Sequence, residues 1–319
     1  MRNLLRADLR RMLRWRGFHG AVIAMALLPF LNYYLQNLPN LGKFSVQDIF
    51  FSGLATYGAY PVYGLVLAIL LSAFLGTEFH DGGIRNKLAA GHRRGAVYLS
   101  QAITAAAAAV LLQLVYLVVA AAVFLPLVGH GKMTEGFTLD GGTLALLVLE
   151  GLLAGVAYAG IYTMVTMLLA NRAAAAVVCL VVLVAGAIVS FNIPRMLDEE
   201  EFISGRVRVT TADGVTTEYY DSYPNPMYIP MPEGLRTFLS LSVRALPTTQ
   251  CGEITMWGYS LAQYREYRDD DAKEAKYEEI AVFLEGANRY MPLFPLLSLG
   301  TAAVCTGVGL AVFRRKDLQ

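Results

Sequence analysis

Six long apolar segments set the main constraint on how this chain of 319 residues can fold. A helix needs roughly 20 apolar residues to cross a ~30 Å hydrocarbon core, at a rise of about 1.5 Å per residue. All six segments are about that long or longer. They are continuously apolar, without the alternation of barrel strands, which favours membrane-spanning helices. The predicted spans are residues 18–35, 54–75, 97–127, 144–170, 173–193 and 291–313.

The composition also indicates a chain whose main solvent is lipid. Hydrophobic residues make up 56 % of the chain, charged residues 16 %, and the mean hydropathy is +0.47. Charged residues are about a quarter of an ordinary soluble domain, so the composition excludes that class. The three cysteines do not have the spacing of metal ligands, and they imply neither a disulfide framework nor a zinc site.

Lysine and arginine are distributed unevenly among the segments that flank the spans. Residues 1–17 carry six arginines and residues 76–96 carry four basic side chains, whereas residues 36–53 and 128–143 carry one lysine each. Basic flanks stay in the cytoplasm, so both termini, including the tail 314–319, are predicted to be cytoplasmic. The expected location is the cell membrane, plasma or inner.

Residues 1–17 have the pattern of an amphipathic helix. Leucines, Met12 and Trp15 lie on one half of a helical projection and four arginines lie opposite. This predicts an interfacial helix on the cytoplasmic leaflet, which precedes the spans of residues 18–193. Asp8 falls on the apolar half and favours the alternative, a basic flank that only sets topology.

The segment 194–290 is predicted to form a small α+β extracytoplasmic domain between the fifth and sixth spans. Residues 206–211 and 215–220 alternate around a turn at residues 212–214 and predict a β-hairpin, whereas residues 260–285 are polar and helix-prone. The segment 195–287 holds 17 acidic against 9 basic residues. This excess could attract cationic peptides, although a solvated charged surface is the ordinary explanation.

The segment that follows the second span, residues 76–96, carries the most specific motif. Glu78 ends the span, Gly82 and the run Ile84-Arg85-Asn86-Lys87 follow, and Tyr98-Leu99-Ser100 begins the return span. This arrangement resembles the signature of type-2 ABC exporter permeases, with a departure at Gly83, where that family commonly has threonine. The stretch Leu246-Pro247-Thr248-Thr249-Gln250 and the basic tail support the resemblance.

The resemblance implies a transport subunit that works with other chains. Two permease chains, identical or homologous, would form the path in the lipid bilayer. Separate ABC ATP-binding subunits would use ATP and Mg, because this chain has no phosphate-binding loop. The chain itself is expected to be no enzyme, to hold no cofactor and to bind no nucleic acid. The residues implied in ATPase coupling are Glu78, Asp81, Ile84, Arg85, Asn86, Lys87, Leu88, His92, Arg93 and Arg94.

Other interpretations of the same segment are possible from the sequence. It could be a basic loop that only sets topology. A metal site at Glu78, His80, Asp81 and His92 is disfavoured, because two histidines twelve residues apart in a basic loop suit contact with a protein better. A membrane-embedded sensor or scaffold, with a ligand-binding extracytoplasmic domain, is the alternative function.

Glu150 is a predicted intramembrane carboxylate in the fourth span. Such groups are costly in lipid and often functional, so Glu150 is a candidate for the transport pathway. A position shallow enough to reach water or a tyrosine is the structural alternative. Gly151 and Gly155 form a G-x-x-x-G pattern that predicts close helix packing. An intramembrane enzyme is disfavoured, because no His, Asp or Ser partner for Glu150 is evident.

Overall fold

The structure is a computed structural model of the whole chain. It describes residues 1–36, 45–52, 62–130, 136, 139–199, 201–210, 216–267, 280, 284 and 290–315.

Helices account for most of the described residues, with one two-stranded sheet. Short 3-10 turns at Leu125–Leu127 and Met291–Leu293 adjoin two of the helices. The elements are α1 Arg2–Arg14, α2 Arg16–Gln36, α3 Val46–Phe51, α4 Val62–His80, α5 Gly83–Ala89, α6 Arg94–Phe124, α7 Gly141–Leu169, α8 Arg172–Asp198, β1 Phe202–Thr210, β2 Thr216–Pro224, α9 Glu233–Arg244, α10 Pro247–Tyr267 and α11 Phe294–Arg315.

Five of the described helical segments are long and apolar enough to cross a membrane. They are Val62–His80, Arg94–Leu127, Gly141–Leu169, Arg172–Asp198 and Met291–Arg315, and they coincide with the last five predicted spans. The chain is therefore a helical, polytopic membrane protein, as predicted. The first predicted span falls within α2, a continuous helix of 21 residues that contains Pro29. Because α2 is not among the five, a total of six spans stays a prediction.

Local sequence signals set the tight turn between α7 and α8. Ala170 ends α7 with φ of +53°, in the left-handed region that non-glycine residues rarely adopt. Asn171 then caps α8, because its side-chain oxygen accepts hydrogen bonds from the backbone N–H groups of Ala173 and Ala174 at 3.0 and 3.1 Å. The turn places Arg172 against α4, where a methyl group at Gly76 would lie 2.8 Å from the Arg172 Cα.

The helical part has two apolar clusters. The larger one joins α2, α3, α4, α6, α7 and α10 and includes Tyr63, Leu67, Tyr116 and Tyr158. A smaller one lies where α1, α5, α6, α7 and α11 meet, and its members are Leu4, Ile84, Val97, Tyr98, Met167 and Phe313. The smaller cluster supports the segment that the sequence singled out.

The described part of the segment between the last two spans contains a hairpin, α9 and α10. β1 and β2 pair antiparallel with Arg206 opposite Tyr220, at the position of the predicted hairpin. The helices differ from the prediction, because α10 begins at Pro247 and packs against α3, α7 and α8. Gln250 of α10 is fully buried and accepts a hydrogen bond from Ser298 of α11 at 2.5 Å. Part of the predicted extracytoplasmic domain is thus built into the helical bundle.

Some predictions concern residues that lie outside the described ranges. They are the start of the second span at 54–61, the hairpin turn at 212–214, the polar stretch 268–279 with its acidic run, and the last four residues of the tail.

Candidate coupling site

Two glycines shape the turn between α4 and α5. Gly82 has φ of +70°, a conformation that glycine adopts without strain. Gly83 lies against the carboxylate of Glu78, and a methyl group there would be 2.8 Å from Glu78 Oε2. A larger side chain at this position would require the Glu78 carboxylate to shift.

The other end of α5 closes in a Schellman motif. Gly91 has φ of +87° and its N–H bonds to the carbonyl of Leu88 at 2.9 Å, while the N–H of His92 bonds to the carbonyl of Lys87 at 3.2 Å. Both ends of this seven-residue helix are therefore fixed by backbone geometry. The closure limits how far the helix and its side chains can rotate.

The N-terminal helix α1 packs across this region with one face. Leu4, Asp8 and Met12 are buried at helical spacing, whereas Arg6 and Arg10 are exposed on the other face. The amphipathic helix predicted for residues 1–17 is therefore present. Its buried face contacts protein, chiefly α6.

Four charged side chains from three helices meet in a buried group, which we call the coupling cluster: Asp8, Arg11, Glu78 and Lys87. Lys87 Nζ lies 2.6 Å from Asp8 Oδ1 and 2.7 Å from Glu78 Oε2. Arg11 forms an ion pair with Glu78 through its Nη1. Ser100 at the start of α6 donates a hydrogen bond to Asp8 Oδ2 at 2.5 Å. Two carboxylates and two cations make the cluster formally neutral.

Three of the four members of the coupling cluster are shielded from solvent. The side chains of Asp8 and Glu78 are 2 % and 3 % exposed and that of Lys87 is 16 % exposed, whereas that of Arg11 is 37 % exposed. The Arg11 guanidinium lies 4.2 Å from the ring centroid of Phe74, a cation–π arrangement. Charges buried this deeply are stable only when they are paired, so the cluster ties α1 and the end of α4 to α5.

The predicted coupling residues divide between two faces of the segment. Glu78 and Ile84 are buried, and Lys87 and Leu88 are half-buried with their contacts directed inward. Asp81, Arg85, Asn86 and Arg93 are exposed, and His92 and Arg94 are intermediate. The outward face remains accessible to another protein. Any role of these residues in ATPase coupling stays a prediction.

Sequence reasoning did not bring Asp8 and Arg11 together with Glu78 and Lys87, and it named Ser100 only as part of the motif that begins the return span. Asp8 carried a signal, because it is the one acidic residue on the apolar half of the N-terminal helix. An acid at such a position indicates a buried partner. Lys87, 79 residues further along the chain, is that partner.

Glu150 lies deep in the bundle, about 14 Å along α7 from its first residue. Its side chain is fully buried, and neither carboxyl oxygen has a hydrogen-bond partner among the described residues. Within the described residues, no tyrosine hydroxyl bonds to this carboxyl group. Gly155, one turn further, makes a close contact, because a methyl group there would overlap the Tyr63 hydroxyl. Gly151 is buried as well.

The residues considered for a metal site do not come together. His80 Nδ1 and Asp81 Oδ1 are 3.0 Å apart at the surface, while Glu78 is engaged by Arg11 and Lys87. Within the described ranges, no group of three His, Cys, Asp or Glu side chains could hold a metal ion.

Comparison with known proteins adds no relative. No protein-family model matches the chain, and no curated protein matches it.

Proposed function

We propose that this chain is the membrane-spanning permease subunit of an ATP-driven ABC exporter. It resides in the cell membrane with both termini in the cytoplasm and pairs with a second permease chain. Separate ABC ATP-binding subunits bind ATP and Mg and dock on the segment 76–96. The observation that carries the proposal is the two-faced construction of α5.

The inner face of α5 is fixed to the protein and the outer face is accessible. Lys87 is bonded to carboxylates on α1 and α4, and Ile84 is packed in the smaller apolar cluster. Arg85 and Asn86 project from the same helix toward solvent. A force applied to the outer face is therefore transmitted to α1, α4 and α6 as a displacement of one connected unit. Such a rigid lever is what ATP-driven closure of cytosolic subunits requires.

Glu150 is the candidate for the transport path. A carboxyl that is buried between helices, with no hydrogen-bond partner in the described part of the chain, suits transient contact with a cationic group, because an unpaired charge in lipid is unfavourable. The acidic excess of residues 195–287 points to the same substrate class, a cationic peptide or antibiotic.

Co-purification in mild detergent or lipid nanodiscs tests the proposal. The tagged chain should recover a stoichiometric ATP-binding subunit, and Arg85→Glu should abolish recovery and ATPase stimulation without lowering the melting temperature. Arg10→Glu, the same charge reversal at an exposed position on α1, is the matched control and should change neither. Lys87 is unsuitable for this test, because its replacement disrupts the coupling cluster.

Absence of any ATPase from the wild-type preparation, in detergent and in nanodiscs alike, would contradict the proposal. The membrane-embedded sensor or scaffold would then take its place. Equal loss of the ATPase from Arg85→Glu and Arg10→Glu would show that docking depends on general surface charge and would remove α5 as the docking element.

A further inference from the structure

Helix α9 turns its polar side toward the protein and exposes part of its apolar side. Arg236, Ser240 and Arg244 lie on one side at helical spacing, and Ser240 and Arg244 are buried. On the other side Leu235 and Phe238 are exposed, Phe238 by 66 %. A helix that is surrounded by water does the reverse and packs its apolar side against the protein. The reversal indicates that α9 has apolar surroundings.

The polar side of α9 bonds to the end of α8. Arg236 Nη1 donates a hydrogen bond to the backbone carbonyl of Leu197 at 2.6 Å, and Arg244 Nη2 lies 2.5 Å from Asp198 Oδ2. Asp198 is the last residue of a segment that is long and apolar enough to cross a membrane. The first turn of α9 is therefore fixed at the end of a membrane-spanning helix.

The chain after α9 lies further along α8. Ser190 Oγ donates a hydrogen bond to Thr248 Oγ1 at 2.7 Å, and a methyl group at Gly186 would be 3.0 Å from the same oxygen. Ser190 and Gly186 are about 12 and 18 Å along α8 from Asp198. Because α8 is about 40 Å long and a hydrocarbon core is ~30 Å thick, both positions lie inside the core when α8 is centred in it. Helix α9 therefore runs back along α8 toward the middle of the membrane.

The turn between α9 and α10 has the hydrogen bonding that a membrane interior requires. Three consecutive backbone carbonyl groups each accept a hydrogen bond from a side chain, at 2.8–2.9 Å. The pairs are Val243 with Thr249, Arg244 with Gln250, and Ala245 with Thr301. Water can supply such donors at a surface turn, whereas in lipid the protein must supply them.

The exposed side of α9 satisfies its polar group in the same way. The Ser242 hydroxyl donates a hydrogen bond to the carbonyl of Phe238 at 2.7 Å, within its own helix. The last turns of α8, which pack against α9, also expose apolar side chains, at Phe191 and Met196. The exposed surface of a membrane-spanning helix thus continues onto α9.

We propose that α9 enters the membrane leaflet at the Asp198 end of α8 and that its exposed side contacts lipid acyl chains. An apolar helix side that faces away from the protein at this level is stabilised by burial in that leaflet. Residues 233–250 then belong to the membrane part of the chain and not to an extracytoplasmic domain. The inference does not rest on the exporter function, because all of its contacts lie within a single chain.

Electron paramagnetic resonance of nitroxide labels tests the proposal on the full chain in nanodiscs. The labelled variants are Leu235→Cys, Phe238→Cys and Ser242→Cys, which lie on the exposed side and cover about 10 Å of α9. The background carries Cys305→Ala, because the other two native cysteines are buried. Relaxation by oxygen, which concentrates in lipid, is compared with relaxation by a water-soluble nickel chelate.

Two further exposed positions supply the references. Val181→Cys lies within the span of α8 and represents lipid. Tyr223→Cys lies on the hairpin, a two-stranded sheet whose edges are open within the described residues and so are unsuited to lipid. The ratio of oxygen to nickel relaxation should rise in the order Leu235→Cys, Phe238→Cys, Ser242→Cys. It should start near the value for Tyr223→Cys and move toward that for Val181→Cys.

Three results would overturn the proposal. Access of the nickel chelate to all three positions, as at Tyr223→Cys, would place α9 in water. Exclusion of both reagents would show that protein, such as a second copy of the chain, covers this side of α9. An equal ratio at the three positions would mean that α9 does not descend into the leaflet. Should one variant melt below its parent, the other two still define the gradient.

Discussion

Buried charge is balanced differently at the two ends of the helical bundle. The coupling cluster contains two cations and two anions. A second group of charged side chains lies at the opposite end of α8 from the Arg172–Gly76 contact, about 40 Å away. It contains one cation and two anions: Asp198, Arg244 and Glu253. We call it the Arg244 cluster. The first is charge-neutral and the second carries an excess negative charge when both acids are ionised.

The geometry of the Arg244 cluster shows how it accommodates that excess. Arg244 Nη2 lies 2.5 Å from Asp198 Oδ2 and its Nε lies 3.1 Å from Glu253 Oε1. Its guanidinium also lies 3.9 Å from the ring centroid of Tyr290. The Asp198 side chain is 48 % exposed, so water shares its charge. Burial raises the pKa of Glu253 to about 7, against the opposing effect of Arg244.

The difference separates a charge-balanced junction from one with an excess acid. The coupling cluster has its charges paired and joins α1, the end of α4 and α5. The Arg244 cluster holds a carboxyl that gains or loses its proton near neutral pH, so its balance changes with conditions. Four changes, in order of decreasing effect, test this contrast.

Lys87→Met should have the largest effect. It leaves the buried carboxylates of Asp8 and Glu78 without their shared cation, and breaking a buried pair destabilises a protein by about 3–5 kcal/mol. The melting temperature in nanodiscs should fall strongly and α1 should become sensitive to protease. Arg10→Met on the exposed face of α1 is the control. Unchanged melting in Lys87→Met would mean that the cluster does not hold α1.

Arg244→Met should have a smaller effect, about 1–3 kcal/mol. Asp198 is half-exposed and Glu253 can take up a proton, so the remaining acids are less unfavourable than those at the other end. Thermal melting at pH 6 and pH 8 measures it, and the loss should be larger at pH 8. If Arg244→Met lowered the stability at pH 6 as much as Lys87→Met does, the two clusters would not differ in how they tolerate loss of a cation.

The pH dependence of stability should come partly from Glu253. Its pKa of about 7 in the folded protein exceeds the ordinary value of 4.5, so the folded state binds the proton more tightly. The stabilisation is complete below pH 4.5 and is lost as the pH rises through 7. Between pH 8 and pH 5 it should amount to about 1–2 kcal/mol. Glu253→Gln should flatten the melting profile over that interval, whereas an unaltered profile would assign the dependence to other groups.

Alanine at two glycines should give the smallest effects, with opposite signs. Gly83→Ala places a methyl group 2.8 Å from Glu78 Oε2 and should destabilise by about 1 kcal/mol. Gly252→Ala, beside Glu253, has no atom within 4 Å of the new methyl group and should stabilise α10 by about 0.5–1 kcal/mol. Paired melting curves measure both. Equal shifts of the same sign would show that helix propensity alone governs these positions.

The sequence alone could predict some of these features and not others. Apolar length predicts six spans, and at five of them the structure has helices long and apolar enough to cross a membrane, because lipid leaves helices as the main way to satisfy the backbone. The run at residues 84–87 predicts part of the division of α5 into a buried and an exposed face. The sequence does not predict the pairing of Asp8 with Lys87 and Ser100, because these two partners lie 79 and 92 positions further along the chain. Helix α10 was missed because its mixed polar and apolar residues have no span-like signal, although its buried Gln250 packs against α11.

Asp8 precedes its partners along the chain, and this order has a consequence for synthesis. A ribosome adds ~5–20 residues per second, so Lys87 and Ser100 emerge several seconds after Asp8. During that interval the Asp8 carboxylate lacks the cation and the hydroxyl group that bind it in the folded protein, and its burial is unfavourable. The buried face of α1 therefore packs only after α5 and the start of α6 have been made.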